Sequence, residues 1–156
     1  MRWSELEYQR CAVARAESVL GDRWTMMIIR DCLLGIRRFE DFQSRLGIAR
    51  RVLSDRLNLL VDKGVLRREP YSQRPLREEY RLTDAGRDLL PVIMALSRWA
   101  DRHLPHPEGT AVQYRHVDCD QVIEPRVDCP ACATPLTVRN TTAVINQPDS
   151  RQEQSS

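Results

Sequence analysis

Four residues in the last third of this 156-residue chain have the types and spacing of metal ligands. His116 and Cys119 form one pair, and Cys129 and Cys132 form a second after nine intervening residues. H-x2-C followed by C-x2-C is the paired spacing that tetrahedral zinc favours, and it is the basis for expecting one structural zinc per chain. A C-x2-C pair can also be a redox dithiol or a simple turn. Asp120 and Ala133 follow the pairs where zinc knuckles often turn through glycine. His103 and His106 read as helix-end and linker residues rather than ligands.

A second set of residues suits a different chemistry. In "RRVLSDRLNLLVDKG", residues 50–64, Leu53, Leu57, Leu60 and Val61 recur at helical spacing and make one apolar face. Arg50, Arg51, Ser54, Asp55 and Asn58 lie off that face. Arginine can bond bidentately to guanine and asparagine to adenine, while aspartate accepts from the cytosine amino group. Arg50 suits a phosphate. Asp55 has a plainer role open to it, pairing with Arg51 at i, i+4.

The charge distribution points to the same partner. The net charge of +2 conceals a division. Residues 37–81 carry 12 basic and seven acidic side chains, whereas residues 105–156 carry four and seven. A polyanion is the natural partner of the first stretch. Because nearly all the basic residues are arginine, codon bias in a GC-rich genome is an alternative source of the excess. No Ser-His-Asp set, paired carboxylates or glycine-rich phosphate loop appears, so an enzyme is not expected. No apolar run approaches the roughly 20 residues of a membrane span, and no basic-then-apolar leader opens the chain, so the expected location is cytoplasmic. The five cysteines there read as thiols or metal ligands rather than disulfides.

The elements that position these residues follow from periodicity. "CAVARAESVLG" puts Ala12, Ala16, Val19 and Leu20 on one helical face and stops at Gly21. Asp22 caps a second helix, read as central, with Trp24, Met26, Met27, Ile28 and Ile29 in the core and Cys32 as a small buried hydrophobe. "RRFEDFQSRLG" gives a short helix with Phe39, Phe42 and Leu46 inward, ended by Gly47. The 50–64 helix follows at once, making a helix-turn-helix. "VLRREPY" and "EEYRLT" alternate as two strands, and "SQRPLR" between them exposes Arg74 and Arg77 at a wing tip. Thr83 caps one long helix with a stripe of Leu89, Ile93, Leu96 and Ala100, in which Pro91 is expected to bend the axis. Its excess apolar surface calls for a second copy of the chain.

With "GDRW", "RRF", "RRVLSDRL", "RP", "EYRLT" and "G" followed by "LLP" in this order and spacing, the chain resembles the HxlR-type branch of the MarR-like winged-helix transcriptional regulators. The resemblance spans residues 11 to about 104. It implies a mainly α (α+β) winged helix-turn-helix with a two-stranded wing, acting as a homodimer on operator DNA. The expected DNA-contacting set is then Arg38, Arg50, Arg51, Ser54, Asp55, Asn58, Arg74 and Arg77. Ala49 departs from the Ser or Thr cap of many relatives. Cys11 occupies the position that the resemblance associates, in some members, with thiol-based sensing, which leaves a redox or small-molecule inducer open; the plainer reading of a cysteine starting a helix near a dimer interface is packing. Arg10 and Arg15 are placed to stabilise its thiolate. The expected division is a winged-helix domain at 1–104, a zinc-ribbon-like extension at 105–140 and a disordered tail at 141–156. The alternative function is a winged-helix protein-docking module that uses the C-terminal cysteine segment for contact.

Overall fold

A computed structural model describes residues 3–146, so residues 1–2 and the last ten positions of the expected tail lie outside the described residues. A 3-10 helix, Trp3–Tyr8, precedes α1 (Ala12–Leu20), α2 (Arg23–Leu33), α3 (Phe39–Leu46) and α4 (Arg50–Asp62). The antiparallel hairpin of β1 (Leu66–Gln73) and β2 (Leu76–Leu82) follows. Next come α5 (Asp84–Arg87), α6 (Leu90–His103) and a small second hairpin, β3 (Tyr114–His116) and β4 (Gln121–Ile123). The result is a mixed α+β winged helix. Contacts divide the chain into two units, Met1–Ile123 and Glu124–Ser156. The β3–β4 hairpin therefore belongs with the winged unit, where the Tyr114 and Ser97 hydroxyls lie 3.3 Å apart.

The core of the first unit is built around α2, which packs on α1, α3, α4, α6 and β2. Ile28, Ile29 and Cys32 from α2 meet Phe42 from α3, Leu53, Leu57 and Leu60 from α4, Leu66 from β1 and Ile93 from α6. Asp31 is fully buried beside them, with Arg30 at 2.6 Å and Arg45 at 3.3 Å. A buried carboxylate costs free energy unless it is paired, so these two arginines are what make the position tolerable.

Helix ends follow their local chemistry. Asp22 accepts from the Trp24 backbone N–H at 2.9 Å and pairs with Arg56 at 3.0 Å, which ties the start of α2 to α4. Burial pushes its carboxyl upward, but the backbone bond and Arg56 outweigh that and leave it below the usual carboxylate range. Ala49 provides no side-chain cap for α4. Gly47 ends α3 in the left-handed region at φ 60°, which a side-chain-bearing residue rarely adopts, so the turn into α4 can be short. Thr83 bonds the backbone oxygens of Gly64 and Val65 while accepting from the Gly86 N–H, fastening the base of the hairpin to α5. Gly86 sits so close to β1 that a Cβ there would lie 2.3 Å from the Val65 carbonyl oxygen.

Three expectations require correction. The segment after Thr83 is two helices, not one bent helix, because Pro91 lies in the first turn of α6. There its missing N–H removes no helical bond and its fixed φ suits the start. Met27 is 37% exposed rather than in the core, and Trp24 and Met26 are half-buried at its edge, because Thr25, Ile28, Ile29 and Cys32 occupy the inward arc of α2. The wing strands extend into the expected tip, leaving only Arg74 and Pro75 between them. The Arg74–Pro75 bond is cis.

Candidate DNA-contacting surface and cysteine sites

The three fully buried leucines of α4 fix its roll about its own axis. That orientation leaves Arg50, Arg51, Asp55 and Asn58 exposed and Ser54 half-buried on the outward side. The Arg50 guanidinium lies 4.6 Å from the centre of the Phe39 ring, held over α3 at the entry to the helix. Among the described residues no ion pair joins Arg51 to Asp55, so neither side chain is consumed by the other. Asn58 accepts a bond from Arg68 of β1 at 2.5 Å. Its amide nitrogen remains available to donate.

The wing has two chemically different faces because strand residues alternate. Arg67 and Arg81 are directly paired, as are Glu69 and Glu79. On their shared face they form a lattice: Arg67–Glu69 at 2.7 Å, Arg81–Glu69 at 2.8 Å and Arg81–Glu79 at 2.6 Å. Hydrogen bonding from Arg67 holds the Glu69 carboxyl below its ordinary range, and the Glu79 bond raises the Arg81 guanidinium further. These arginines neutralise the wing's own carboxylates. Arg68 is on the opposite register, toward α4, and Arg74 and Arg77 are exposed near the tip. Arg38, at the start of α3, lies 4.6 Å from the Tyr71 ring centre, and the Arg37 carbonyl accepts from the Tyr80 N–H at 2.8 Å. α3, α4 and the wing thus hold one connected, cation-rich surface. Arg68 and Tyr71 were missed by the sequence reading. The alternation of Arg67 and Arg68 was the signal for the first, once Tyr80 is taken as the partner of Arg68.

The cysteines fall in distinct environments. Cys11 is exposed at the start of α1. Arg15 donates to the backbone oxygens of Gln9 and Arg10 at 2.8 Å each, so its guanidinium is fixed on the backbone beside Cys11. Cys32 is buried, and desolvation pushes its thiol up to about 12. His116 Nδ1 lies 3.2 Å from Cys119 Sγ. In the second unit Cys132 Sγ lies 3.4 Å from Thr134 Oγ1, and Ala133 N–H bonds the Cys129 carbonyl at 2.8 Å. No three His, Cys, Asp or Glu side chains gather to surround an ion among the described residues. His103 ends α6, 5.5 Å from the Trp99 ring, and His106 Nδ1 accepts from the Glu108 N–H in the turn beyond. A cavity of about 200 Å³ lies beside α6, lined chiefly by Leu33, Leu34, Leu90, Ile93 and Tyr114.

A buried-face recognition helix, a short helix before it and a basic two-stranded wing after it define a winged helix-turn-helix DNA-binding protein. The chain belongs to the HxlR-like helix-turn-helix family, whose model matches residues 19–108. It is a transcriptional regulator with a helix-turn-helix DNA-binding domain, not an enzyme. An HTH-type transcriptional regulator of Mycobacterium tuberculosis is 46% identical over 131 residues, covering 84% of this chain and 83% of that one. The crystal structure of the candidate transcription factor PA1607 is similar with a TM-score of 0.80 at 34% identity, over 92% of this chain and 99% of that one. The redox regulator HypR in its reduced form is similar over 60% of this chain and 96% of its own, with a TM-score of 0.55 at 30% identity. No described helix is long and apolar enough to cross a membrane.

Proposed function

We propose that the chain is a repressor that binds a palindromic operator as a homodimer, reading bases with Arg51, Ser54, Asp55 and Asn58 and holding phosphates with Arg38, Arg50, Arg74 and Arg77. The observation that carries this reading is the pinned roll of α4, which directs its polar side outward on the same surface as the wing arginines. Base-edge contacts specify sequence, and phosphate contacts set position. A docking surface would be expected to present mainly apolar groups there, and this one presents mainly charge, with Leu76 and Tyr71 the exposed apolar side chains of the wing.

Exposed apolar side chains also lie on α1 and α6. Val13 is 69% exposed, Leu96 50% and Trp99 56%. A second copy laid against these helices would cover them. Two recognition helices set about 34 Å apart would then enter successive major grooves. An inducer has two seats in this reading, the exposed Cys11 thiol and the apolar cavity beside α6. HypR is described as a redox regulator, which favours testing the thiol first.

Footprinting on the DNA beside the protein's own gene tests the proposal. A protected palindrome of two half-sites about one helical turn apart is expected, with sedimentation giving a dimer at micromolar concentration. Protection of no sequence over random DNA, or full binding by a monomer, contradicts it. For Cys11, mild oxidation is expected to release DNA from the parent and not from Cys11→Ser. Equal release from both removes Cys11 from the mechanism.

A further inference from the structure

We propose that a pocket at the base of the wing is a binding site for a small tetrahedral oxyanion, a phosphate group carried free or on a small phosphomonoester. The pocket has a volume of about 150 Å³ and is lined by Arg37, Arg67, Arg81 and Arg87, with Cys32 and Tyr80 among them. All of these residues lie in the first unit. They come from separate parts of the chain: α2, the turn before α3, the hairpin and α5. Like charges gathered around one small volume repel, and an anion between them offsets that cost. It also gains the short, strong hydrogen bonds that a guanidinium makes to a charged oxygen.

The neighbouring carboxylates do not cancel the site. Glu69 and Glu79 pair with the two hairpin arginines, and Asp84 pairs with Arg87, which sets four guanidiniums against three carboxylates. The pairing also uses only one edge of each hairpin arginine. Arg67 donates to Glu69 through Nε at 2.7 Å, and Arg81 donates to Glu79 through Nε at 2.6 Å. A guanidinium has five N–H donors, and all but one are on its terminal nitrogens. Those of Arg81 bond no other group among the described residues, and Arg67 commits only Nη1, to the Leu82 carbonyl. Arg37 has no carboxylate within ion-pair distance among the described residues. Its position is fixed all the same, because its carbonyl accepts from the Tyr80 N–H at 2.8 Å. Burial pushes the Cys32 thiol up to about 12, so it stays neutral and adds no negative charge to the lining.

This chemistry selects the ligand. Fork-shaped donors arriving from several directions match an oxyanion with several acceptor oxygens, whereas a halide offers them no shape to read. A DNA backbone fits less well. Arg67 and Arg81 are on the hairpin face opposite Arg68, and it is Arg68 that reaches α4 through Asn58. A bound oxyanion would tie the hairpin to α5 and to the turn before α3, holding the wing against the body.

The test uses the full chain in a phosphate-free buffer, titrated with inorganic phosphate and, separately, with glycerol 3-phosphate. Calorimetry is expected to give one saturable site per chain, and the thermal unfolding midpoint should rise with ligand concentration. Sodium chloride at matched ionic strength should do neither. Arg37 and Arg87 are both exposed, so Arg37→Ala and Arg87→Ala should keep the parent's helical circular dichroism while each weakens phosphate binding about tenfold, the scale of one charge-assisted hydrogen bond. Arg74→Ala, at the wing tip, should bind phosphate as the parent does. Binding of phosphate alone identifies the free ion as the ligand, and binding of both probes identifies the phosphomonoester class. No saturable binding of either probe, an equal effect of chloride, or unchanged affinity in both pocket variants would overturn the proposal. So would a salt slope on random DNA that falls by about one in each pocket variant, since the pocket would then be a backbone contact. The site does not rest on the DNA-binding reading: a chain that binds phosphate here and no DNA would refute that reading and leave the site standing.

Discussion

The winged helix up to α6 and the described residues beyond it, 105–146, are ordered by different physics. In the first, three leucines of α4 and two isoleucines of α2 are fully buried, and the polar surface follows from where that core points the helices. In the second, no described residue is buried, and the backbone is held by short hairpin pairings and turns. Order can therefore be built in two ways on one chain. A hydrophobic core orients a recognition helix as a by-product of burial, whereas a segment without buried residues keeps its turns through local backbone pairing.

The sharpest way to break the contrast is to remove a side chain from each region. Leu57→Ala is expected to lose about 2–5 kcal/mol of stability, through lost burial and an unfilled cavity. Val117→Ala should stay within about 0.5 kcal/mol. Urea unfolding followed by helical circular dichroism measures both, and similar losses would erase the distinction. Next in size is Gly86→Ala, where the new methyl would meet the Val65 carbonyl and force the hairpin base apart, at about 1–3 kcal/mol.

Asp22→Ala should cost about 1 kcal/mol as a lost cap. Asp22→Asn keeps the cap and loses only the charge. The carboxyl of Asp22 is held low in the folded chain, so the stability from its ionisation is present above the unfolded value of about 3.9 and lost as pH falls through the folded one. The gap between parent and Asp22→Asn should accordingly close at acid pH; a gap constant from pH 7 to pH 2 would show that the charge is not the cause. A chemical counterpart uses the thiols. A maleimide at pH 7 should label Cys11 rapidly and leave Cys32 unlabelled until the protein unfolds, because one is exposed and burial pushes the other to about 12.

The legible part of the molecule was the part ordered by a core. Leucines at 53, 57 and 60 announced both the helix and its outward side, and Asp22, Gly47 and Thr83 announced its neighbours' ends. The errors fall where periodicity does not discriminate. Pro91 inside an apolar run is compatible with a bent helix or a new one, and only the backbone of Leu89 and the α5 turn decide. Met27 has the same hydrophobicity as its buried neighbours but sits off their arc. Arg68 was invisible as a partner of Asn58 because that contact joins residues from a strand and a helix whose packing no local pattern encodes.

The central claim is that α4 reads sequence while the wing tip reads phosphate, and binding measured on operator and random DNA across a salt series tests it most directly. Arg51→Ala is predicted to lose about 1–3 kcal/mol on the operator and little on random DNA. Arg74→Ala is predicted to weaken both alike and reduce the salt slope by about one. Equal losses on both DNAs for both variants, or a parent that does not prefer its operator, would contradict the account.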